Sequence, residues 1–276
     1  MGLFFNYNKS GPGIDKDAPK KWGIFLYFEL LGRNLSKLLL SNMLYFAVSL
    51  PVLTLYYIII SIFAENVMPE SVNAVAVVQF AAILTLLVSI LWGTGPASLG
   101  YTYILRNTAR EEHTFLISDF FEKTKKSFFR GLVFLIVDIV LLASFSTAIL
   151  TYWELAKEVG GIYTVLLFLT LLVIVVYTIM HFYLYEMEVT FNDKILTIYK
   201  NSFLMALATL PMCVLIGILI CIISLLLLSF LVPFAILIVG FLCWIGFMRF
   251  MVDFYTARTI KRVILCKNEE DSNGEE

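Results

Sequence analysis

Residues 131–153 read GLVFLIVDIVLLASFSTAILTYW, 23 residues bounded by Arg130 and Glu154 and carrying one charge, Asp138. About 20 consecutive apolar residues cross the hydrocarbon core of a bilayer as a helix. The stretch therefore predicts a membrane-spanning helix with a carboxylate inside it. Four further blocks flank it. Between Lys37 and Glu65 lie 27 residues without Asp, Glu, Lys or Arg, between Glu70 and Arg106 lie 35, between Glu158 and Glu186 lie 27, and between Lys200 and Arg249 lie 48. The last block is long enough for two spans joined by a tight turn near Ser229 to Pro233. The expectation is an all-α integral membrane protein with six spans, near residues 38–63, 73–95, 131–151, 162–184, 204–226 and 232–250.

Composition agrees. The 276 residues are 60% hydrophobic and 15% charged. Soluble domains average about 45–50% apolar and about 25% charged, and one soluble core of this size cannot bury the excess. The net charge of −1 gives no reason to expect nucleic acid as a partner. The polar N-terminus, with GPGIDKDAPKK at 11–21, contains no short apolar core before a small-residue cleavage site. The first span is expected to act as its own targeting signal. Residues 1–20 read as a cytoplasmic segment, 21–262 as the membrane domain and 263–276 as a disordered acidic tail.

Basic residues set the expected orientation. Lys and Arg in short loops favour the cytoplasmic side. The segments before spans 1, 3 and 5 and after span 6 carry 19 of the 20 basic residues, and the opposite loops carry only Lys157. Both termini are therefore expected in the cytoplasm.

The stretches leading into spans 1, 3 and 5 resemble one another. Each runs from an amphipathic segment through a basic-polar cluster into a span, the clusters being RNLSK, KKSFFR and YKNSF. Asp119 and Asp193 open the second and third, eight and nine residues before an SF pair. Three copies of one unit are expected: interfacial helix, span, short outer turn, span. In 115–130, Phe115, Phe120, Phe121, Phe128 and Phe129 alternate with lysines, a mixture suited to the headgroup boundary of the lipid bilayer.

Catalytic constellations are not found. There is no H-E-x-x-H, G-x-S-x-G or C-x-x-C. Cys213, Cys221, Cys243 and Cys266 suit neither a disulfide framework nor a metal site, and no cofactor is expected. His113 and His181 are isolated, and His181 reads most simply as a polar anchor at a span end. Asp138 is the most informative residue. It either contacts an ion or substrate, or accepts a structural hydrogen bond from a Ser, Thr, Tyr or Trp of a neighbouring helix. Glu186 and Glu188 end the fourth span, and Arg249 and Asp253 stand four apart at the end of the sixth. These read as interface anchors or ties between helices, with Arg249 able to reach Asp253 or Glu186.

LWGTGPASLG at 91–100 follows an apolar run. It lacks the Lys-Ser/Thr ending of a phosphate-binding loop. Pro96 cannot donate to the carbonyl of Trp92, and Gly95 before it is pushed out of the α conformation. The helix is expected to kink or restart there, Pro96 opening a segment that contains Ala97 and Gly100. Ser89, Gly93 and Ala97 suggest a small-residue packing face.

Several of these motifs together resemble the YesL family of bacterial membrane proteins (domain of unknown function 624). They are NYNKSGPGIDKDAPKK, the run RNLSKLLLSNMLYFAVSLPVLTL with Asn42 and Pro51, the GPASLG motif with Gly95, Pro96 and Ala97, and SDFFEKTKKSF. The resemblance covers about residues 4–260. It implies a non-enzymatic accessory component of carbohydrate uptake or sensing. The implied partners are a sugar ABC transporter permease or a histidine kinase. The alternative is a transporter or permease subunit with its own pathway through Asp138. The 2–3 loop lacks the glycine-bearing motif by which ordinary ABC permeases engage their ATPase.

Overall fold

The computed structural model describes the backbone of residues 23–68, 74–191, 193–230 and 234–265, and side chains over 23–68, 77–191, 193–223 and 246–263. The N-terminal segment, the acidic tail, Cys266, the side chain of Cys243 and residues 231–233 of the last expected turn lie outside them. The described chain is helical, in the order α1 Gly23–Arg33, α2 Leu35–Val67, α3 Ala74–Leu91, α4 Pro96–Ala109, α5 Leu116–Lys126, α6 Phe128–Glu158, α7 Ile162–Thr190, α8 Ile195–Ala208, α9 Leu210–Phe230 and α10 Phe234–Ile260, closing with a π turn over Lys261–Leu265.

Among the described residues, α2, α6 and α7 are long and apolar enough to cross a membrane. At 33, 31 and 29 residues, each is longer than the roughly 20 needed. Two further pairs qualify only as bent spans: α3 with α4, bent by 59°, and α8 with α9, bent by 88°. Three to five crossings are thus visible, where six were expected.

Three short helices, α1, α5 and α8, each precede a long one across a single non-helical residue. The three breaks share one backbone conformation: Asn34 at φ −109°, ψ 19°, Ser127 at −103°, 17° and Thr209 at −116°, 16°. Each short helix turns large apolar side chains outward: Ile24, Phe25 and Phe28 on α1, Ile117 and Phe121 on α5, and Leu196, Phe203 and Leu204 on α8. Such faces suit a helix lying in a lipid interface.

The polar clusters do not all mark the breaks. RNLSK and KKSFFR straddle Asn34 and Ser127, but Ser202 of YKNSF is buried inside α8, two turns before its break at Thr209. Pro211 explains the later position. It has no N–H to continue a ladder, and as the second residue of α9 it needs none.

Helices α2, α3, α7 and α6 form a closed square, each touching the next. At the basic end of this square α4 fills the centre, packed by α2, α5, α6, α7 and α10. Although it carries hydroxyls, an asparagine and an arginine, α4 buries 11 of its 14 residues. The last third of α7, from Ile179 to Val189, is buried throughout.

Candidate functional site

The site grows from the interruption between α3 and α4. Chain leaving α3 at Leu91 takes φ of +83° at Gly93 and +68° at Gly95 before Pro96 starts α4. L-residues with a Cβ resist this left-handed backbone. The restart expected at Pro96 is therefore present. The expected small-residue face is not. The helix stops at Leu91 and restarts only at Pro96, so Ser89, Gly93 and Ala97 share no helical stripe. The close approach is made elsewhere. A Cβ at Gly95 would stand 2.7 Å from the carbonyl oxygen of Gly131, and one at Gly131 would stand 2.6 Å from the Cα of Pro96. Gly100 makes the next contact along α4, where a Cβ would collide with Thr124 Oγ1 of α5.

An interrupted helix in a bilayer must find partners for its freed backbone groups. Here the bundle supplies them. Tyr56 donates to the carbonyl of Gly93 at 3.2 Å, and Arg249 donates through Nη1 to that of Ile90 at 2.8 Å. The N–H of Thr94 donates to Ser98 Oγ at 2.7 Å, and that of Gly95 to the hydroxyl of Tyr185 at 3.2 Å. Ser49 and Thr94 share a hydroxyl bond of 2.8 Å, Thr94 donates to Tyr45, and Trp92 Nε1 donates to Thr178 Oγ1 at 2.9 Å. Three helices thus clamp one loop.

Beside the loop lies Asp138, fully buried on α6. Tyr177 donates to its Oδ1 at 2.7 Å, and His181 Nε2 stands 3.0 Å from the same oxygen. The imidazole stacks on Trp92 at 5.9 Å. The expected tyrosine partner is present, and the isolated histidine is in fact the second partner. Removing one partner of a buried polar contact leaves the other unsatisfied and costs about 1–3 kcal/mol. Asp138→Ala is expected to lower the thermal midpoint of the detergent-solubilised protein sharply. Asp138→Ala combined with His181→Ala is expected to cost less than the two single losses added together.

A second polar group lies toward the basic end. Glu186, Glu188, Arg249 and Asp253 are all buried, at 0, 4, 3 and 1% exposure. Of the two expectations, anchors at an interface or ties between helices, their burial fits the ties. Arg249 Nε faces Asp253 Oδ2 at 3.7 Å, the i,i+4 pairing expected, and its guanidinium lies 5.3 Å from the Tyr185 ring centre. The ion-pair partner of Glu186 is Arg110, at 3.8 Å. Arg130 pairs with Glu188 at 3.1 Å and donates to the carbonyl of Asp193, and Arg106 donates to that of Val189. Lys123 lies on α5 beside this group. Burial lowers its ammonium from the ordinary value, and the neighbouring Arg106 charge adds to the effect.

The remaining expected residues have local roles. Asp119 accepts from the N–H of Phe115 at 2.9 Å, holding the first turn of α5. Ala97 is buried in the first turn of α4. Asn42 accepts from the Tyr101 hydroxyl at 3.4 Å, while Pro51 faces outward on α2. Among the described residues, no group of three or more His, Cys, Asp or Glu side chains could hold a metal.

Residues 75–147 match a family model described as a protein of unknown function, DUF624. This segment is similar to DUF624. It runs from α3 through the interruption, α4 and α5 into α6, and so holds Gly95, Gly100, Asp119, Gly131 and Asp138. The YesL family is a DUF624 family, so the match agrees with the resemblance seen in the sequence. No curated protein and no solved structure matches the chain.

The matched segment supplies Asp138 and Gly95, but Tyr177 and His181, which meet Asp138, and Tyr185, which meets Gly95, come from α7, outside it. Of these, Tyr177 and Tyr185 went unnoticed in the sequence, as did Tyr45, Ser49, Tyr56 and Thr178. A signal was there. Tyr177, His181 and Tyr185 recur every four residues, a polar-aromatic stripe along one face of an otherwise apolar helix.

Proposed function

We propose that the protein is a non-enzymatic, six-span component of the bacterial plasma membrane that works alongside another membrane protein. Both termini lie in the cytoplasm. The chain consists of three units, each an interfacial helix, a sharp bend and a hairpin of spans. The common backbone conformation at Asn34, Ser127 and Thr209 supports the three units, and the 19-to-1 split of basic residues supports the orientation. The family resemblance places the protein with carbohydrate uptake or sensing, its partner being a sugar ABC transporter permease or a histidine kinase.

The observation that carries this reading is the burial of the polar core inside the bundle. Asp138 meets Tyr177 and His181 with no exposure of its own. Its partners are therefore side chains of the same bundle, whereas a solute pathway needs polar groups turned toward an aqueous cavity. A transporter remains the second reading, because discontinuous helices beside buried ionisable groups are also how transporters bind substrates and ions.

Affinity purification of the tagged protein from native membranes separates the two. Co-purification of a sugar permease or a histidine kinase supports the accessory role. Uptake of a sugar by liposomes containing this protein alone, lost on Asp138→Asn at unchanged protein level, sinks it in favour of the transporter.

A further inference from the structure

The square of α2, α3, α6 and α7 is hollow at the end away from α4. A half-open chamber of about 280 Å³ lies between these helices, walled by Ile60 and Phe63, Leu84 and Val88, Phe145 and Ile174, with Trp92 and Thr178 also in its lining. The indole nitrogen of Trp92 is already committed to the Thr178 hydroxyl, so this lining offers a solute little to bond. Apolar cavities of this kind stay dry or take apolar guests. One turn further along the same two helices lies a second hollow of about 300 Å³, lined by Asn66 of α2 and by Thr151, Glu154 and Glu158 of α6. The character changes from apolar to acidic between the two. Glu154 and Glu158 stand four apart on one helix face. The neighbouring cation, Lys157, lies 4.9 Å from the Trp153 ring centre, and among the described residues no ion pair reaches either glutamate.

We propose that the chamber receives the hydrocarbon tail of a single-chain amphiphile, whose ammonium head group sits at the mouth between Asn66, Thr151, Glu154 and Glu158. At roughly 30 Å³ for a group the size of a water molecule, the chamber has room for one chain of about ten carbons. An α-helix, about 10 Å across, does not fit. The two carboxylates select the sign of the head. The chamber ends at Trp92, whose ring stacks on His181 of the Asp138 cluster, but the proposal does not depend on the accessory role.

Full-length protein in phosphatidylglycerol nanodiscs tests this, with Trp22, Trp153 and Trp244 changed to Phe so that Trp92 is the sole reporter. The probe is 12-bromododecylammonium, whose terminal bromine quenches an indole on contact. Saturable quenching of Trp92 is expected. Filling the chamber with Val88→Phe and Ser146→Phe should weaken it at least about a hundredfold, since each methylene kept out forfeits its burial. Glu154→Gln with Glu158→Gln, at exposed positions that folding does not need, should weaken it about fivefold. Unsaturable quenching that is the same in every variant means simple partition into the bilayer and overturns the proposal. Equal or stronger quenching by 12-bromododecyl sulfate overturns the choice of head group. Quenching of Trp92 by iodide alone overturns the dry chamber in favour of an aqueous path. If the filled variant fails to fold, the glutamate pair still decides.

Discussion

Gly131→Leu is expected to leave no folded protein in the membrane. The position is one turn into α6, where the backbone of Gly131 lies directly against Pro96 at the restart of α4. Even a Cβ would stand 2.6 Å from Pro96 Cα and 2.7 Å from its nitrogen. Both are backbone atoms of a loop clamped by α2, α7 and α10, so no flexible side chain can give way. A leucine must push α6 off the loop, and the hydrogen bonds to Gly93 and Gly95 go with it. Overpacking of this kind exceeds the usual cost of about 1–3 kcal/mol for extra methylenes in a core. Gly131→Ala should already lower the thermal midpoint. Gly95→Leu should fail for the same contact seen from the other side, with the added strain of φ +68°. Gly32→Ala in α1 is the control. A Cβ there meets nothing within 4 Å, and replacing a helical glycine gains about 0.5–1 kcal/mol. Fluorescence-detected size-exclusion chromatography after heating reads all four variants. A monodisperse Gly131→Leu protein of ordinary stability would refute the close contact.

Arg249→Met is expected to have the second largest effect. Arg249 does three things at once. It donates to the Ile90 carbonyl at the open end of α3, holds Asp253 within 3.7 Å, and lies 5.3 Å from the ring centre of Tyr185. A cation at a helix C-terminus also favours the helix dipole. Methionine keeps the bulk and removes all three interactions, leaving a buried carboxylate without its charge partner. The expected loss is about 3–5 kcal/mol. Adding Asp253→Asn should return part of it, because the uncompensated charge then disappears. Arg249→Lys should rescue poorly, since a single ammonium cannot serve the carbonyl and the carboxylate together. Thermal unfolding of the three variants in one detergent measures this, and a neutral Arg249→Met would show that the ion pair contributes nothing.

These two sites also show how far the sequence could be read. Pro96 after Gly95 marked the restart, because the missing N–H and the glycine act within a few residues. Asp138 stood out because one charge in an apolar block is visible without knowing its neighbours. The i,i+4 pair of Arg249 and Asp253 follows from helical spacing. The contacts of Gly131 with Pro96, of Arg249 with Ile90 and of His181 with Asp138 could not be read in this way. Each joins residues from different helices, and nothing in local spacing says which helix faces of a polytopic bundle meet. For Glu186 and Glu188 the sequence left anchors and ties between helices both open, for a related reason. A charge at the end of an apolar block looks like an interface anchor until α4 and α10 are seen to cover it.

The sequence by itself determined the class. Apolar blocks longer than a bilayer is thick require helices that satisfy their own backbone. Tertiary structure alone decided that α4, with its threonines and asparagine, occupies the centre of the bundle, and that α2, α7 and α10 clamp the broken helix. It also decided that the square of α2, α3, α6 and α7 is hollow at its far end. Hydrophobicity and helical propensity act along the chain and are visible in it. Close approach of backbones, pairing of buried charges and unfilled volume exist only between elements, and appear only once those elements are packed.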